Sequence, residues 1–377
     1  MSIALVHDYL TQLGGAEKVL ASLERVYANS PIFVLLYNKN KVGDLFPEHK
    51  IRSTWLEYLP LAHRNYQWYL TLMPWAASRH CLKKYDIIIS SASSFAKNIR
   101  VPEDCVHICY CHTPTRFLWH DAGSYVEELN YPRLIKKIIP LFLPRLRHLD
   151  FLAAQKVDSF IANSRVVQER IKKYYQRDSM VIYPPVNTDF FSISNQPGNY
   201  YLAGGRLVAY KKYDLAIRAF NKLGLPLKIF GVGPEQRRLQ KMASKNIEFL
   251  GPVSDPVKKE LYANCLAYIN PQIEDFGITT IEAMAAGRPV IAFAGGGALE
   301  TIIPGQTGEF FEEQNWESLA HRLLHFQPEK YQPSLIKEHA SQFSTARFEQ
   351  QIKNHIASLT QNIKQQKIFS PKSPVVE

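Results

Sequence analysis

The strongest chemical signal is a pair of glutamates, Glu274 and Glu282, eight positions apart in NPQIEDFGITTIEAMAAGRPV, residues 270–290. The segment predicts a short helix that begins at Gly277 and is ended by Gly287, because glycine commonly closes helices. Glu274 then lies in the loop before the helix, and Glu282 lies in the second turn on the face that leads back to the helix start. A ligand over that helix N-terminus touches both carboxylates, which accept hydrogen bonds from the vicinal hydroxyls of a ribose or hexose. The structural alternative is an exposed Glu274 and a salt-bridged Glu282.

Two cations form a second candidate cluster in YYLAGGRLVAYKKYDLAIRAF, residues 200–220. Arg206 and Lys211 lie five positions apart and flank the turn from a predicted strand to a predicted helix. Arginine offers a bidentate fork and lysine a mobile point charge, so the pair suits the two phosphates of a diphosphate. A solvated basic loop is the alternative. The glycines before the cations and the helix N-terminus after them favour the phosphate clamp.

A pair of glycines, Gly14 and Gly15, follows the first apolar run of the chain and precedes a predicted helix. The free backbone N–H groups at the start of that helix are available to a phosphate or sugar, which glycine allows to approach closely. An ordinary tight turn explains the same two residues.

Cys109, Cys111 and His112 occur together at the end of another apolar run. A zinc site needs four ligands, and no second pair of ligands lies nearby in the sequence. We therefore predict no metal there and interpret the cysteines as small buried residues. His112, at the strand end, is either a structural histidine or a residue of the site.

The elements that must position these residues are short β-rich runs separated by helical patterns. The runs are SIALV, IFVLLY, YDIIIS, VHICY, DSFIA, YYLAG, LKIFG, IEFLG, LAYIN and PVIAF. Because they do not alternate, they predict strands buried on both faces, and their alternation with helices predicts parallel, doubly wound sheets. These runs exceed one comfortable sheet, so we predict an α/β protein with two Rossmann-like domains that face a cleft. Ligands of such sheets bind at the carboxyl ends of the strands.

The domain boundary is expected in residues 183–199, which contain three prolines and two asparagine turn signals. Residues 1–185 then form an N-terminal domain and residues 186–345 a C-terminal domain. Residues 346–377 are expected to form a C-terminal helix that packs back on the N-terminal domain, followed by a frayed tail.

Composition and charge narrow the class of protein. The 377 residues suit two domains, and 46% hydrophobic with 21% charged residues is typical of a globular chain. The net charge of +11 attracts anions such as nucleotide phosphates, nucleic acid or an acidic membrane surface. We expect no signal peptide and no transmembrane helix, because no basic leader and no apolar run of about 18 residues occurs. Five cysteines without framework spacing suit a reducing cytoplasm.

Taken together, these segments resemble the retaining glycosyltransferases of GT-B fold, the family 4 group that includes glycogen synthases and bacterial phosphatidylinositol mannosyltransferases. That family carries a glutamate–seven residues–glutamate motif, matched by EDFGITTIE, and a GR-x4-K clamp, matched by GRLVAYK. Its Gly-Gly loop and HTP segment are matched by LGGAEK and YCHTPTRFLWHD. The family usually has glycine after the clamp lysine, where this chain has Lys212. A narrower resemblance, to bacterial mannosyltransferases that use GDP-mannose in surface-polysaccharide assembly, rests on VHDYLTQLGGAEKVL, VDSFIANSRVVQERI and VIYPPVNTDFF.

The resemblance implies a role for each matching residue. It implies that Arg206 and Lys211 neutralise the departing diphosphate, that Glu282 holds the ribose hydroxyls, and that Glu274 contacts the donor sugar. It implies that His112 lies over the sugar near the anomeric centre. The donor-binding set so implied is Gly14, Gly15, Arg206, Lys211, Glu274, Phe276, Gly277, Ile278 and Glu282. The catalytic set so implied is His112, Glu274, Arg206 and Lys211.

The expected function is transfer of a hexose, best matched by mannose from GDP-mannose, to a saccharide or lipid-linked saccharide. The N-terminal domain would hold the acceptor and the C-terminal domain the nucleotide sugar. No Asp-x-Asp motif occurs, so we predict transfer without a metal or other cofactor, with the two cations in place of the ion. A sugar-nucleotide epimerase or hydrolase of GT-B fold is the alternative enzyme. Nucleic-acid binding is not favoured, because the basic residues are spread along the chain and no such module is present.

Two segments rich in aromatic and basic residues, 55–84 and 131–149, could contact a membrane. Aromatic and basic side chains on amphipathic segments suit an interface with anionic lipids. The alternative is a helical wall whose apolar face belongs to the domain core. The first interpretation predicts a cytoplasmic protein that binds the inner face of the plasma membrane peripherally.

Overall fold

A computed structural model describes residues 1–120 and 133–369 of the chain. Within these ranges the strands form two wholly parallel sheets. The α/β class with two doubly wound domains is thereby confirmed. The described ranges contain no helix that is both long and apolar enough to span a bilayer.

The first sheet has seven strands in the order β3-β2-β1-β4-β5-β6-β7. They are β1 (Ile3–Leu10), β2 (Ile32–Tyr37), β3 (Ile51–Ser53), β4 (Ile87–Ala92), β5 (Val106–Cys111), β6 (Ser159–Ala162) and β7 (Ser179–Val181). Residues on both faces are buried, as the continuous apolar runs predict. On one face lie Leu5, Val34, Ile89 and Ile108, and on the other lie Ala4, Val6, Ile88 and Cys109.

The second sheet has six strands in the order β10-β9-β8-β11-β12-β13. They are β8 (Tyr201–Gly204), β9 (Leu227–Phe230), β10 (Ile247–Gly251), β11 (Tyr268–Asn270), β12 (Val290–Phe293) and β13 (Gly308–Phe311). Every predicted run corresponds to a strand. Strands β3, β7 and β13 were not predicted; each is short and lies at an edge of its sheet.

The helices cover the faces of the two sheets. In the described ranges they are α1 (Gly15–Val26), α2 (Lys39–Val42), α3 (Met73–Ala77), α4 (Arg133–Gln155), α5 (Arg165–Tyr175), α6 (Tyr213–Leu223), α7 (Gln236–Met242), α8 (Asp255–Asn264), α9 (Ile278–Ala285), α10 (Ala298–Thr301), α11 (Trp316–His325), α12 (Pro333–Ser341) and α13 (Thr345–Phe369). Short 3₁₀ turns include Trp55–Tyr58, Tyr66–Tyr69 and Ala209–Lys211.

Each sheet reverses its strand order between two central strands, and the candidate site lies at these two points. In the first sheet the reversal falls between β1 and β4, and in the second it falls between β8 and β11. The loops after the central strands therefore splay apart and leave a crevice at the carboxyl edge. The glycine pair follows β1, the clamp cations follow β8, and the first glutamate follows β11.

The chain crosses between the two sheets twice, and the crossings touch. Val186 N donates to Phe343 O at 3.0 Å, and Thr345 N donates to Val186 O at 3.0 Å. Helix α13 then packs on the first sheet, where its residues Phe348, Ile352 and Ile356 join the buried core. The helix continues to Phe369, and the rest of the tail that we expected to be frayed, residues 370–377, lies outside the described ranges.

Candidate functional site

The glycine loop after β1 faces the start of α9, the helix that carries Glu282, across the cleft. Gly14 is the N-cap of α1, and Gly15 is the first residue of the helix. A Cβ atom added to Gly15 would lie 2.9 Å from Ile278 Cδ1, closer than side-chain carbons approach. The start of α1 therefore lies against the start of α9, and a side chain at position 15 would require the Ile278 side chain to move.

Glu274 is paired with Lys211, so the structure brings together two of the predicted residues. The lysine ammonium donates to Glu274 Oε1, and Gln272 Nε2 donates to the same oxygen at 3.0 Å. Both charged side chains are mostly buried, with 14% of the Lys211 and 17% of the Glu274 side chain exposed. Burial acts to raise the pKa of Glu274, but the Lys211 charge and the hydrogen bonds outweigh it and lower the pKa below 4.5. Glu274 is therefore a carboxylate at neutral pH.

The helix that the sequence predicts after Gly277 is α9, and its first backbone groups are free. Gly277 is the N-cap with φ of +92°, a left-handed conformation that favours glycine. In the part of the chain that the structure describes, the N–H groups of Phe276, Gly277 and Ile278 donate no hydrogen bond. These groups give the cleft a positive dipole end beside Glu274. The Phe276 ring itself is buried, stacked 5.5 Å from the Tyr183 ring.

A loop of three glycines, residues 295–297, supports the Glu274 segment and was missed by the sequence analysis. It follows β12, and Gly297 N donates to Glu274 O at 2.8 Å. Gly296 has φ of +63°, and a Cβ atom there would overlap the Glu274 carbonyl. The signal was the GGG triplet one residue after the PVIAF run.

Glu282 lies in the second turn of α9, as predicted, and it is engaged from both domains. Lys18 Nζ, from α1, donates to Glu282 Oε1 at 2.8 Å, and Lys258 Nζ lies 3.6 Å from the same oxygen. Tyr262 OH donates to Oε2 at 3.4 Å. Burial acts to lower the pKa of Lys258, and the carboxylates of Glu282 and Asp255 outweigh it, so the pKa is raised.

An open cavity of about 630 Å³ adjoins Glu282. It lies between α1 of the first domain and α8 of the second, and the chain crossing closes one side. Its charged lining residues are Lys18, Arg25, Asp255, Lys258 and Glu282, and its aromatic ones are Phe190 and Phe191. The cavity therefore offers both cations and apolar surface next to the proposed ribose carboxylate.

Arg206 is exposed, and no ion pair or hydrogen bond of its side chain is present within residues 1–120 and 133–369. It faces the other domain. Burial raises the pKa of Tyr66, and the charge on Arg206 opposes this rise, so the two groups are near each other. Arg206 is thus free to take an anion, although it does not contact Lys211 in this state.

Lys212 adopts a left-handed conformation, with φ of +53° and ψ of +32°. The resemblance singled out this position, since the family usually has glycine there. The backbone therefore keeps the glycine-like turn with a lysine side chain, at a cost of roughly 1 kcal/mol. Lys212 is the N-cap of α6, so the turn directs the start of that helix.

His112 directly follows β5, and a buried hydrogen-bond chain holds its ring. Its Nε2 lies 2.8 Å from Ser91 Oγ, which lies 3.1 Å from His7 Nδ1. The other ring nitrogen of His7 lies 3.9 Å from Glu17 Oε1. Burial, and to a lesser degree His7, lower the pKa of His112 to about 3, so its imidazole is neutral at physiological pH.

Two further contacts, neither of them predicted from the sequence, join the domains beside the site. Arg170 of α5 pairs with Asp275 and donates to Thr113 Oγ1 at 3.1 Å. The Glu300 carboxylate accepts from Arg165 N at 2.8 Å and from Val166 N at 3.1 Å. The Arg170–Asp275 pair crosses the cleft, and Glu300 of the second domain caps the start of α5 in the first.

The predicted residues thus fall into two groups. Contacts link Lys211 with Glu274 and the glycine loop with Ile278, whereas Glu282, Arg206 and His112 bind other partners or none in the described ranges. Those ranges contain no cluster of three or more histidine, cysteine or acidic residues able to hold a metal ion.

The chain matches two models of known protein families, and together they cover both domains. Residues 13–190 match the family model described as Glycosyltransferase Family 4, and residues 186–347 match the model described as Glycosyl transferases group 1. The chain belongs to the family 4 glycosyltransferases. The resemblance to the family 4 glycosyltransferases is thereby confirmed. The two matches meet at the chain crossing between the sheets.

Relatives and solved structures of this glycosyltransferase agree. The alpha-1,3/1,6-mannosyltransferase ALG2 of Dictyostelium discoideum is 27% identical over 280 residues, which are 60% of this chain and 63% of that protein. The chain therefore spans less than two thirds of that relative. Anabaena HepE in complex with UDP has a TM-score of 0.70 at 18% identity, covering 95% of this chain and all of that one. Sucrose-phosphate synthase from Thermosynechococcus elongatus has a TM-score of 0.73 at 16% identity, covering 96% and 100%. At these identities the two structures establish the fold.

Proposed function

We propose that this glycosyltransferase moves a hexose from a nucleoside diphosphate sugar to a saccharide or lipid-linked saccharide, with retention of the anomeric configuration. The observation that carries the proposal is the Lys211–Glu274 pair beside the free N–H groups of α9, opposite the glycine loop of the other domain. A cation, a hydroxyl acceptor and anion-binding amides converge at one point of the cleft.

The cations act on the leaving group. Cleavage of the bond between the sugar and the diphosphate builds negative charge on the leaving phosphate. Arg206 and Lys211 flank the turn after β8, and Arg206 is unpaired in the described ranges. Fixed positive charge at that position stabilises the transition state more than the ground state and so accelerates the reaction.

The glutamates recognise hydroxyl groups. Glu274 would accept hydrogen bonds from the donor sugar and Glu282 from the ribose, since ionised carboxylates accept from vicinal hydroxyls. The cavity beside Glu282 provides room for the nucleoside, with Phe190 and Phe191 as apolar surface. Donor binding then requires that Glu282 share or exchange its bond with Lys18.

Transfer with retention follows from attack on the face that the leaving group departs from. The acceptor hydroxyl oxygen bonds to the anomeric carbon, the bond from that carbon to the diphosphate oxygen breaks, and the hydroxyl proton passes to the leaving phosphate. His112 is neutral and would hydrogen-bond the donor sugar beside the anomeric carbon. Glu274 remains ionised and paired in this scheme.

GDP-mannose is the donor that we propose. The choice of mannose as the sugar is supported by the names of the relatives. The Dictyostelium and yeast relatives ALG2 are named as mannosyltransferases, and the motif resemblance points to GDP-mannose. The HepE structures contain UDP or UDP-glucose, so the base and the sugar are the first properties to measure. We further propose that no metal or other cofactor takes part, since two cations already lie at the turn after β8.

The acceptor side suggests a membrane. Helix α4 turns large apolar residues outward, with Leu141 75% and Phe142 49% exposed, and Trp68 and Trp75 are about half exposed. Basic residues accompany them, and the Arg79 guanidinium lies 4.9 Å from the Trp75 ring. We propose that these residues contact an anionic membrane at its cytoplasmic face, where a lipid-linked saccharide is presented. Residues 131 and 132, the first two of the predicted 131–149 segment, lie outside the described ranges.

Thermal-shift measurements with GDP, UDP, ADP and their sugars test the donor, because a ligand that binds the folded state raises its stability. We expect GDP and GDP-mannose to raise the melting temperature most. Incubation of the preferred donor with and without a saccharide acceptor then separates transfer from hydrolysis or epimerisation. Fast turnover without acceptor would contradict transfer, and NMR of the product linkage tests retention.

A further inference from the structure

The ring of His112 is oriented by residues that the proposed reaction does not use. Ser91 is the penultimate residue of β4, and the register of the first sheet places it opposite His7 of β1 and Tyr110 of β5. His7 and Ser91 are buried, with 2% and 0% exposed. The geometry therefore places two strands side by side with polar groups aimed at the strand-end histidine.

The direction of each hydrogen bond follows from what each atom is able to donate. His7 Nδ1 lies 3.1 Å from the Ser91 carbonyl oxygen, which only accepts, so Nδ1 carries a proton. The same N–H is 3.1 Å from Ser91 Oγ. The hydroxyl proton of Ser91 is then left to point at His112 Nε2, 2.8 Å away. At the other end of this series of hydrogen bonds, Glu17 Oε1 lies 3.9 Å from His7 Nε2.

Because Ser91 donates a hydrogen bond to Nε2 of His112, the position of the proton on the His112 ring is determined. The neutral imidazole has one N–H, and a ring nitrogen that accepts a hydrogen bond does not carry it. The proton therefore resides on Nδ1. Within the described ranges Nδ1 has no hydrogen-bond partner, and it is not among the buried unbonded atoms, so it is open to a ligand.

We propose that His7, acting through Ser91, holds His112 in the tautomer with its proton on Nδ1, so that His112 presents a hydrogen-bond donor to the sugar. The proposal rests on the proposed function for the sugar contact, but the tautomer itself does not. His7 is a positioning residue, because it acts through Ser91 and not on the substrate. An accepting oxygen of the sugar, not a donating hydroxyl hydrogen, is the partner that this tautomer selects.

The chain supplies a matched control on the same strand. Ser90 Oγ lies 2.8 Å from His107 Nε2, and both residues are fully buried. Ser90→Ala removes a serine–histidine bond of the same length one residue away, from a histidine that lies within β5 and not at its end. Any effect of Ser91→Ala beyond that of Ser90→Ala belongs to His112 and not to the loss of a buried hydroxyl.

Long-range ¹H–¹⁵N NMR of the full chain labelled with ¹⁵N-histidine reads the tautomer directly, with the His112 signal identified by its loss in His112→Asn. We expect the Nδ1-protonated form in the wild-type protein and in Ser90→Ala. In Ser91→Ala and His7→Phe we expect a mixture of tautomers. His7→Asn should keep the wild-type form, since its amide N–H replaces Nδ1–H.

The rates give a second readout. We expect kcat to fall roughly fivefold to tenfold in Ser91→Ala and His7→Phe, as for one lost hydrogen bond in the transition state, with KM for the donor nearly unchanged. His7→Asn should recover most of the rate. An Nε2-protonated His112 in the wild type, or the same tautomer in wild type and His7→Phe, would overturn the proposal even if transfer activity is intact. Loss of transfer activity in all preparations, with the tautomers as expected, would overturn only the proposed function.

Discussion

Lys18 Nζ donates to Glu282 Oε1 at 2.8 Å, and this bond crosses the cleft from α1 to α9. The carboxylate is buried, whereas 49% of the lysine side chain is exposed. The group that we propose for the ribose hydroxyls is therefore already neutralised by the opposite domain. A nucleotide that enters the cleft meets an ion pair and not a bare carboxylate.

The Lys18–Glu282 pair predicts opposite effects for its two members. Lys18→Met should tighten GDP binding by up to about fivefold, because an ion pair whose lysine is half exposed is worth about 1 kcal/mol and its loss frees Oε1. Glu282→Gln should weaken GDP binding by about 1.5–3 kcal/mol, roughly 10- to 150-fold. Isothermal titration calorimetry measures both. If Lys18→Met weakens binding as much as Glu282→Gln does, the lysine itself holds the nucleotide.

Arg206 offers the cleanest test of the diphosphate clamp. Arg206→Ala should lower kcat/KM by about 10²-fold, on the order of 3 kcal/mol, through loss of charge stabilisation in the transition state. The melting temperature should not change, because the side chain is exposed and makes no ion pair within the described ranges. Arg218→Ala, at an exposed arginine on α6, is the control and should leave kcat/KM unchanged. Equal activity of the two variants would remove Arg206 from the mechanism.

The Glu274–Lys211 pair predicts a pH dependence of stability. The pKa of Glu274 in the folded protein lies below 4.5, so the unfolded chain binds more protons as the pH falls through this region. The stabilisation is thus present above about pH 4.5 and is lost at lower pH. The difference in unfolding free energy between the wild type and Glu274→Gln should be constant above that pH and shrink below it.

Chemical denaturation at a series of pH values measures this difference. Lys211→Met provides the control, because burial then acts on Glu274 without the opposing charge and moves its titration to higher pH. A difference between wild type and Glu274→Gln that stays constant down to pH 3 would contradict the pairing.

Removal of divalent metal tests the role of the two cations as a substitute for an ion. Enzyme dialysed against EDTA should transfer sugar at the same initial rate, and added Mg²⁺ or Mn²⁺ should not raise it. The reason is that Arg206 and Lys211 supply the positive charge that a metal would bring to the diphosphate. Loss of activity in EDTA with recovery on addition of Mg²⁺ would refute this assignment.

Flotation with vesicles tests the membrane contact. The full chain should float with vesicles that contain anionic phospholipid at low salt and should be released at high salt, because screening weakens the basic contribution. Leu141→Glu and Phe142→Glu should each reduce flotation. Leu324→Glu, at a residue 67% exposed on α11 of the other domain, is the matched control. No flotation of the wild type at low salt would exclude the contact.

The central strands were predictable because their burial is local and continuous. A run such as IFVLLY in β2 is too short for a typical buried helix and is rich in β-branched and aromatic residues, which indicates a strand covered on both faces. The edge strands β3 and β7 were not, because IRS and SMV are only three residues long and partly polar. The order of the strands depends on pairing between segments far apart in the chain, such as β1 with β4, and could not be predicted from the sequence.

The site was predictable where one segment contains the whole signal. The position of α9 after Gly277 follows from its own residues. The partners of the glutamates were not predictable, because Lys18 is 264 positions from Glu282 and Lys211 is 63 from Glu274. His7 and Ser91 meet His112 only through the register of three strands. The sequence shows a lysine at position 212, but a lysine side chain by itself does not indicate the left-handed conformation that the backbone adopts there.

The return of α13 to the first sheet also determines the order of events during synthesis. The core of the N-terminal domain includes Phe348, Ile352 and Ile356, which leave the ribosome after nearly all of the second domain. The first domain to be translated is therefore the last to be finished, and its apolar groove stays uncovered while the second domain emerges. A nascent chain of this protein therefore exposes that apolar surface until α13 has emerged from the ribosome.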